Sequence, residues 1–557
     1  MSTGQHPQHP QQDHPVAIVY HLSGPATAAA VARGESTLLG AAIVSPGADP
    51  MYLPPAQLGG LSMSNGERRI HDNALTARAV EMQHRLTAAP NFDCAWTMRK
   101  LLDQRAPDDA PLASAEEAIA RVVETLHLRE QLSGQLATQG LCSVYNNVEL
   151  PVVDPTARMI LNGIGVDVDW LNPFAREQTS AVRRSKQAVQ AAIGRSINLN
   201  SSPELGRLLY DDLALPQGRW TKSGQPSVSL EALEQFLTRR DVVEPLMNYV
   251  RAETLRRRAV ELQRFTVANT ARIHTTLDPL GAETGRYSSS QPALQNLPRP
   301  PRRAIVAPAG HVLMEADFSQ IELCVLAHFS RDERLLAAFA EEQVDLHRRT
   351  AAAALGVPEG SVTDAQRQIG KRVNFAVTYG QAAEGLARDL GISTRKAQQL
   401  IHSYFNTFPR VHEWIQEASR QDVVWTLYGR RRRVSLAPEL RTDDTRWLAV
   451  NTTLQGTAAD IMKLALARLH AALPADARMV LTVHDSVLLE VPIDRVDEVG
   501  QHVRAIMETP PPGFTVPLRV EVSTGRTWAE CKTHTTPAEN DGEQAGQDHV
   551  VLEAASH

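Results

Sequence analysis

A chain of 557 residues is too long for one hydrophobic core, so several domains or subdomains are expected. Hydrophobic content of 43% and charged content of 22% are ordinary for a soluble globular protein, no apolar run is long enough to cross a bilayer, and the first residues lack a signal peptide's apolar core. The formal net charge of −6 argues only weakly against a polyanionic partner, because a phosphate-binding cleft needs a local basic stripe, and stripes stand at Arg302–Arg303, at Arg367/Lys371/Arg372 and at Arg430–Arg433.

In chain order, Met1–Pro15 is rich in Gln, His and Pro and reads as a disordered leader. Residues 16–135 mix short apolar stretches with Gly- and Pro-rich breaks, as in a small mixed domain. Residues 136–265 are mostly helical in pattern, with long stretches at Thr179–Ile193 and Leu246–Phe265. The polar segment Thr221–Ser229 between them reads as a solvated connector, or alternatively as a flexible tip that touches a nucleic-acid backbone. Ile305–Asp317 and Met479–Val491 read as strands, the second hinged on His484-Asp485-Ser486. A helical insert, roughly Asp332–Val424, separates them, and Lys532–His557 is polar enough to be disordered. The four cysteines, Cys94, Cys142, Cys324 and Cys531, are scattered and suggest neither a zinc site nor a disulfide framework, which points to a reducing cytoplasm.

Three constellations carry chemistry. Asp317 sits at a strand's end, where its carboxylate and the Phe318 carbonyl offer the hard oxygens that Mg²⁺ prefers; taken alone, helix capping is the commoner use of such a residue. Asp485 lies on a hairpin turn between strongly apolar strands, where a carboxylate needs a cation or donors, although turn aspartates are also common for structural reasons. Two such aspartates can converge on a metal pair ~4 Å apart. The third is Arg367, Lys371, Phe375 and Tyr379, spaced four apart. Steps of four on a helix advance ~6 Å and rotate only ~40°, so these side chains form one stripe of roughly 18 Å, about the length of a nucleoside triphosphate. The cations can take the polyphosphate while the rings pack on sugar and base, and Gly380 then lets the helix stop.

These segments resemble the DNA polymerase I family, family A. Asp317–Leu323 is similar to its motif A, Arg367–Gly380 to its nucleotide-binding finger helix, and Val483-His484-Asp485 to its motif C. Thr284–Ser289 with Leu294–Pro298, Asp345–Arg348, Leu427–Arg431 and Asn451–Asp460 add further ordered matches, and the resemblance runs from about Val148 to Trp528. It implies an α+β multidomain right-hand polymerase: an antiparallel palm sheet at 266–330 and 435–531, a helical thumb at 136–265 and helical fingers at 331–434. Residues 16–135 would be an N-terminal α/β RNase H-like exonuclease-type remnant. The resemblance further implies a monomer, bacterial and associated with the nucleoid, that copies primer–template DNA with dNTPs.

Residue by residue, it implies that Asp317, the Phe318 carbonyl and Asp485 hold two Mg²⁺ ions, with Mn²⁺ able to substitute. Arg367, Lys371 and His347 would clamp the triphosphate, with Lys371 the proton donor to pyrophosphate. Phe375 would pack on the sugar, Glu322 act as steric gate against ribonucleotides, Gln320 join the dNTP site, and Tyr379 stack near the templating position. Arg286, Asn296, Asn451, Gln455 and His484 would contact DNA, chiefly through minor-groove acceptors.

Departures are informative. Ser486 stands where most of the family has a second motif C carboxylate, Cys324 replaces an arginine, and Trp447 stands where another arginine is usual. No Asp-x-Glu pair occurs between Met1 and Glu130, and Val16–Leu22 carries no acid, so a remnant without proofreading is expected, with no room ahead of it for a 5′-nuclease domain. Two alternatives stay open: a bifunctional polymerase and 3′–5′ exonuclease, and a catalytically impaired DNA-binding scaffold.

Overall fold

The computed structural model describes residues 14–59, 67–86, 91–104, 110–215, 240–341, 345–434 and 443–531, together with Ser227, Ser229, Leu230, Leu233 and Phe236. The expected tail and nearly all of the expected leader and of the Thr221–Ser229 segment lie outside these residues. No helix among the described residues is long and apolar enough to cross a membrane. By their contacts the described residues form two compact units, one within 1–163, 276–289 and 314–522, the other within 164–275, 290–313 and 523–557. One boundary between the two units falls at Gly163, so residues 136–163 belong with the first unit.

The first unit opens with β1 (His14–Leu22), so the strand starts two residues inside the stretch expected to be leader. It joins β2 (Leu38–Val44), β3 (Met51–Leu53), β4 (Glu67–His71) and β5 (Phe92–Cys94) in one sheet of order β3-β2-β1-β4-β5. β2 runs antiparallel to β1 and β3, whereas β4 runs parallel to β1 and β5. That strand order and sense are compatible with the α/β remnant expected here. β1 reads as a continuous apolar run because both its faces are covered: Ile18, Tyr20 and Leu22 enter one core cluster, Ala17 and Val19 another. α1 (Ala74–Gln83) is capped by Asn73, and α2 (Ala115–Thr138), capped by Ser114, lays Ala118 and Val122 on the second face.

Most of the sheet that carries both aspartates also belongs to this unit. Its strands are β6 (His311–Phe318), β7 (Arg478–Val483), β8 (Ser486–Pro492) and β9 (Val520–Gly525), in the order β7-β8-β6-β9. The expected strand Ile305–Asp317 is broken into Ile305–Val306 and β6, with Pro308 and Gly310 (φ +78°) between them. Proline removes a ladder donor and ends the first piece. β7 and β8 are antiparallel with Val483 opposite Ser486, so the turn is His484-Asp485 alone and Ser486 already belongs to the strand. Between β6 and β7 run α3 (Ile321–Ser330), the helical insert with α4 (Leu346–Leu355) and α5 (Asp364–Tyr379), then the long α6 (Asp443–Ala472). α7 (Val496–Glu508) follows β8.

The second unit pairs two 26-residue helices, Val168–Ile193 and Arg240–Phe265, over a core that includes Val189, Leu209, Val243 and Leu246. A four-stranded sheet of short strands accompanies them. Trp528 is 1% exposed there, with the Arg302 guanidinium 4.2 Å from its ring centroid.

Candidate active site

Alternation along β6 puts Glu315 and Asp317 on one face and Met314, Ala316 and Phe318 on the other. Met314 Cε would lie 3.4 Å from a Cβ on Gly500 of α7, so the second face is the helix-covered one. After Phe318 the chain turns through Gln320, whose φ of 56° is left-handed, into α3. On the hairpin, His484 takes a φ of 51°, costly for a residue with a Cβ, and the adjoining Asp485 is half-buried. The Phe318 N–H donates to the Asp485 carbonyl at 3.1 Å, which sets the two aspartate-bearing segments side by side. Thr482 Oγ1 donates to the Ser486 carbonyl at 3.1 Å and helps close the turn.

The finger helix α5 starts with a capping box between Thr363 and Gln366 and ends at Gly380, φ 69°. Lys371, Phe375 and Tyr379 form the expected stripe: the ammonium lies 6.0 Å from the Phe375 centroid, and the two rings stack at 5.9 Å and 18°. Arg367 Nε donates to Asp345 Oδ2 at 2.5 Å, and Asp345 also caps α4 through the Arg348 N–H. His347 is 5% exposed; burial, then the Arg367 and Lys371 charges, push its pKa down to about 4. It is therefore a neutral donor rather than a third cation. Asn374 Nδ2 lies 2.8 Å from its Nδ1, and Asn374 Oδ1 accepts from Thr350, so the amide donates and Nε2 keeps the proton. Gly370 lets α4 and α5 approach, since a Cβ there would meet the His347 carbonyl at 2.0 Å.

Arg286 donates to Glu322, and Tyr379 also hydrogen-bonds that carboxylate. Burial alone would lower the Arg286 pKa, but Glu322 and then Asp485 hold it above its ordinary value. Burial, followed by Glu322, raises the Tyr379 phenol well above the usual range. Asn451 and Gln455 are half-buried on α6, one helical turn apart, and His484 is exposed. Asn296 lies in the other compact unit, at the end of a short 3₁₀ turn, Leu294–Asn296.

Part of the expected basic stripes is structural. Arg430 is 4% exposed and donates to both Glu149 and Asp460, while Lys463 Nζ reaches Glu149 at 2.6 Å and Thr426 Oγ1 reaches Asp460 at 2.6 Å. A Cβ on Gly285 would meet Arg430 Nε at 2.3 Å, so this cluster backs the segment that presents Arg286. The sequence reading missed the cluster; its signal was Asp460 and Lys463, three apart in an otherwise apolar stretch of helix. Arg302 is likewise buried on Trp528, and Arg372 turns away to the Asp389 carbonyl at 2.6 Å. Cys324 is buried, which pushes its thiol up to about 12.

Among the described residues no group of three or more His, Cys, Asp and Glu side chains is gathered for a metal. The donor set at the palm is instead two half-buried carboxylates, Asp317 and Asp485, and the Phe318 carbonyl. These hard oxygens on adjoining segments fit a divalent cation that keeps part of its shell for water and phosphate.

In the N-terminal sheet a small cavity of about 70 Å³ opens where β1 and β4 end, lined by Tyr20, His71, Asp72, Asn73 and Arg121 among others. Asp72 is the acid among its lining residues, and Arg121 Nη1 donates to it at 3.1 Å. Burial raises the Asp72 pKa while Arg121 opposes that shift. Nearby, Glu81 is fully buried and paired with Arg69 and Arg78 at 2.9 and 2.8 Å.

The model of DNA polymerase family A matches residues 168–530. The thermostable DNA polymerase I of Thermus filiformis is 39% identical over 433 residues, which is 75% of this chain and 52% of that protein. DNA polymerase I of Pseudomonas aeruginosa is 38% identical over 452 residues, 77% of this chain and 48% of that protein. The chain thus spans about half the length of the curated relatives it matches. Among solved structures, the POL domain of Pol1 from M. smegmatis, in complex with DNA primer–template and dNTP, superposes with a TM-score of 0.83 at 29% identity, covering 93% of this chain and 96% of that one.

Proposed function

Since the chain belongs to DNA polymerase family A, we propose that it is a template-directed DNA polymerase that adds dNTPs to a primer 3′-hydroxyl. The observation that carries this reading is the Phe318 N–H bonded to the Asp485 carbonyl, which brings two carboxylates to one edge of the palm, together with the cation-to-aromatic stripe on α5. The M. smegmatis domain's complex with primer–template and dNTP supports the same substrates here.

Two Mg²⁺ ions, or Mn²⁺, held by Asp317, Asp485 and the Phe318 carbonyl would activate the attacking hydroxyl and neutralise developing phosphate charge. The chain's own groups do the rest. The primer oxygen attacks the α-phosphorus in line and the α–β anhydride bond breaks. Arg367 and Lys371 take the polyphosphate, His347 donates from Nε2, and Lys371 passes a proton to the departing pyrophosphate. Phe375 packs on the sugar, and Glu322, held by Arg286, fills the space that a ribose 2′-hydroxyl needs. Gln320 borders the dNTP site, and Arg286, Asn296, Asn451, Gln455 and His484 contact the duplex.

The same reading assigns the protein to gap filling or repair without proofreading. For the lack of proofreading, the support is the small cavity at the ends of β1 and β4: among its described lining residues the acid is Asp72, which already accepts from Arg121. The test is primer extension with dNTPs and Mg²⁺, followed by incubation of a mismatched primer with Asp317→Ala. Extension by wild type without trimming of the mismatch is expected; trimming would establish a proofreading centre and overturn that part.

A further inference from the structure

Ser486 follows Asp485 at the hairpin turn, and the structure sets a carboxylate against it. Ser486 Oγ lies 3.2 Å from Glu315 Oε1 and 3.0 Å from the Val483 carbonyl, both acceptors for its hydroxyl proton. Glu315 is 2% exposed and precedes Asp317 by two residues on β6, so both acids project from one face of the sheet. Carboxylates two apart on a strand are separated by roughly 6–7 Å, too far to share one ion yet close enough for the outer charge to strengthen metal binding at the inner one. Ser486 is the residue after Asp485, so whatever fixes its hydroxyl also fixes the turn.

We propose that Glu315 is a positioning residue of the metal site: carried on β6 two residues before Asp317 and held against Ser486, its charge raises the affinity with which Asp317 and Asp485 hold a divalent ion. A hydroxyl at 486 belongs with this arrangement. Glutamates at both positions would bring like charges to hydrogen-bond distance, whereas the serine hydroxyl donates to the carboxylate. The inference rests on the two-metal reading above.

The test titrates Mn²⁺ into the full chain bound to primer–template, read by electron paramagnetic resonance so that turnover is not involved. Asp485→Asn is the control and should lose the site. Glu315→Gln should weaken Mn²⁺ binding about 10-fold, the scale of an outer-shell partner. Ser486→Ala should weaken it less and in the same direction. Glu315→Gln with Ser486→Glu should recover most of the loss. If Glu315→Gln and Ser486→Ala bind Mn²⁺ as wild type does while Asp485→Asn does not, the proposal fails and the two-metal reading stands. If Asp485→Asn also binds normally, the two-metal reading itself fails. A loss in Glu315→Gln that the double variant does not restore marks a purely structural role and overturns the proposal. Should Glu315→Gln not fold, Ser486→Ala decides alone: unchanged affinity overturns it.

Discussion

The main-chain N–H of Phe318 donates to the main-chain carbonyl of Asp485 at 3.1 Å, joining the strand that ends in one candidate metal ligand to the turn that carries the other. That contact depends on a two-residue turn whose first position, His484, has a φ of 51°. Left-handed geometry costs a residue with a Cβ about 1–2 kcal/mol and a glycine almost nothing. His484→Gly should therefore keep or slightly raise stability in urea unfolding while weakening primer–template binding, and His484→Val should lose about 1–2 kcal/mol.

Glu322 holds Arg286 and Tyr379 together, so its removal has two separable effects. Glu322→Ala should raise ribonucleotide insertion relative to dNTP insertion. It should also destabilise the chain by about 1–3 kcal/mol, because Arg286 keeps its charge without its partner. No rise in ribonucleotide insertion would remove the steric-gate role.

His347 gives a pH dependence with a definite sign. Its pKa is about 4 in the folded chain against an ordinary 6.5, so between those values the unfolded chain holds more protons. The contribution is fully present above pH 6.5 and is lost as pH falls toward 4, about 3 kcal/mol in all. His347→Gln should flatten that part of the stability profile, measured by urea midpoints at pH 7 and pH 5. The same steep decline in the variant would contradict a buried neutral imidazole.

Gly380 ends the finger helix with a φ of 69°, and a Cβ there would lie 1.7 Å from Trp447 Cδ2. Gly380→Ala should cost about 1–3 kcal/mol through overpacking and left-handed strain. Trp447→Ala opens the space, so the double variant should lose less than the two single losses combined. Additive losses would mean that the indole is not the obstacle.

The candidate metal and triphosphate residues could be picked out in the sequence because strand ends, a turn and a spacing of four are local features. The same locality explains α5 and its stripe. Arg430 was read as part of a basic stripe for a phosphate cleft because Glu149 and Asp460, its partners, lie 281 and 30 residues away in sequence. His347 could be named but not its protonation, since burial and the amide of Asn374, 27 residues on, decide that. The break at Pro308 and Gly310 was readable in principle, yet the apolar run on either side outweighed it. Glu315 drew no notice because an acid within a strand usually faces water, and only pairing of the strands brings it to Ser486.

The most direct test is primer extension on a defined template with dNTPs and Mg²⁺, comparing wild type with Asp485→Asn. Template-directed extension by wild type is predicted, with a loss of ~10³-fold or more in the variant, about 4 kcal/mol of barrier. No extension by wild type, or extension that survives Asp485→Asn, would contradict the account.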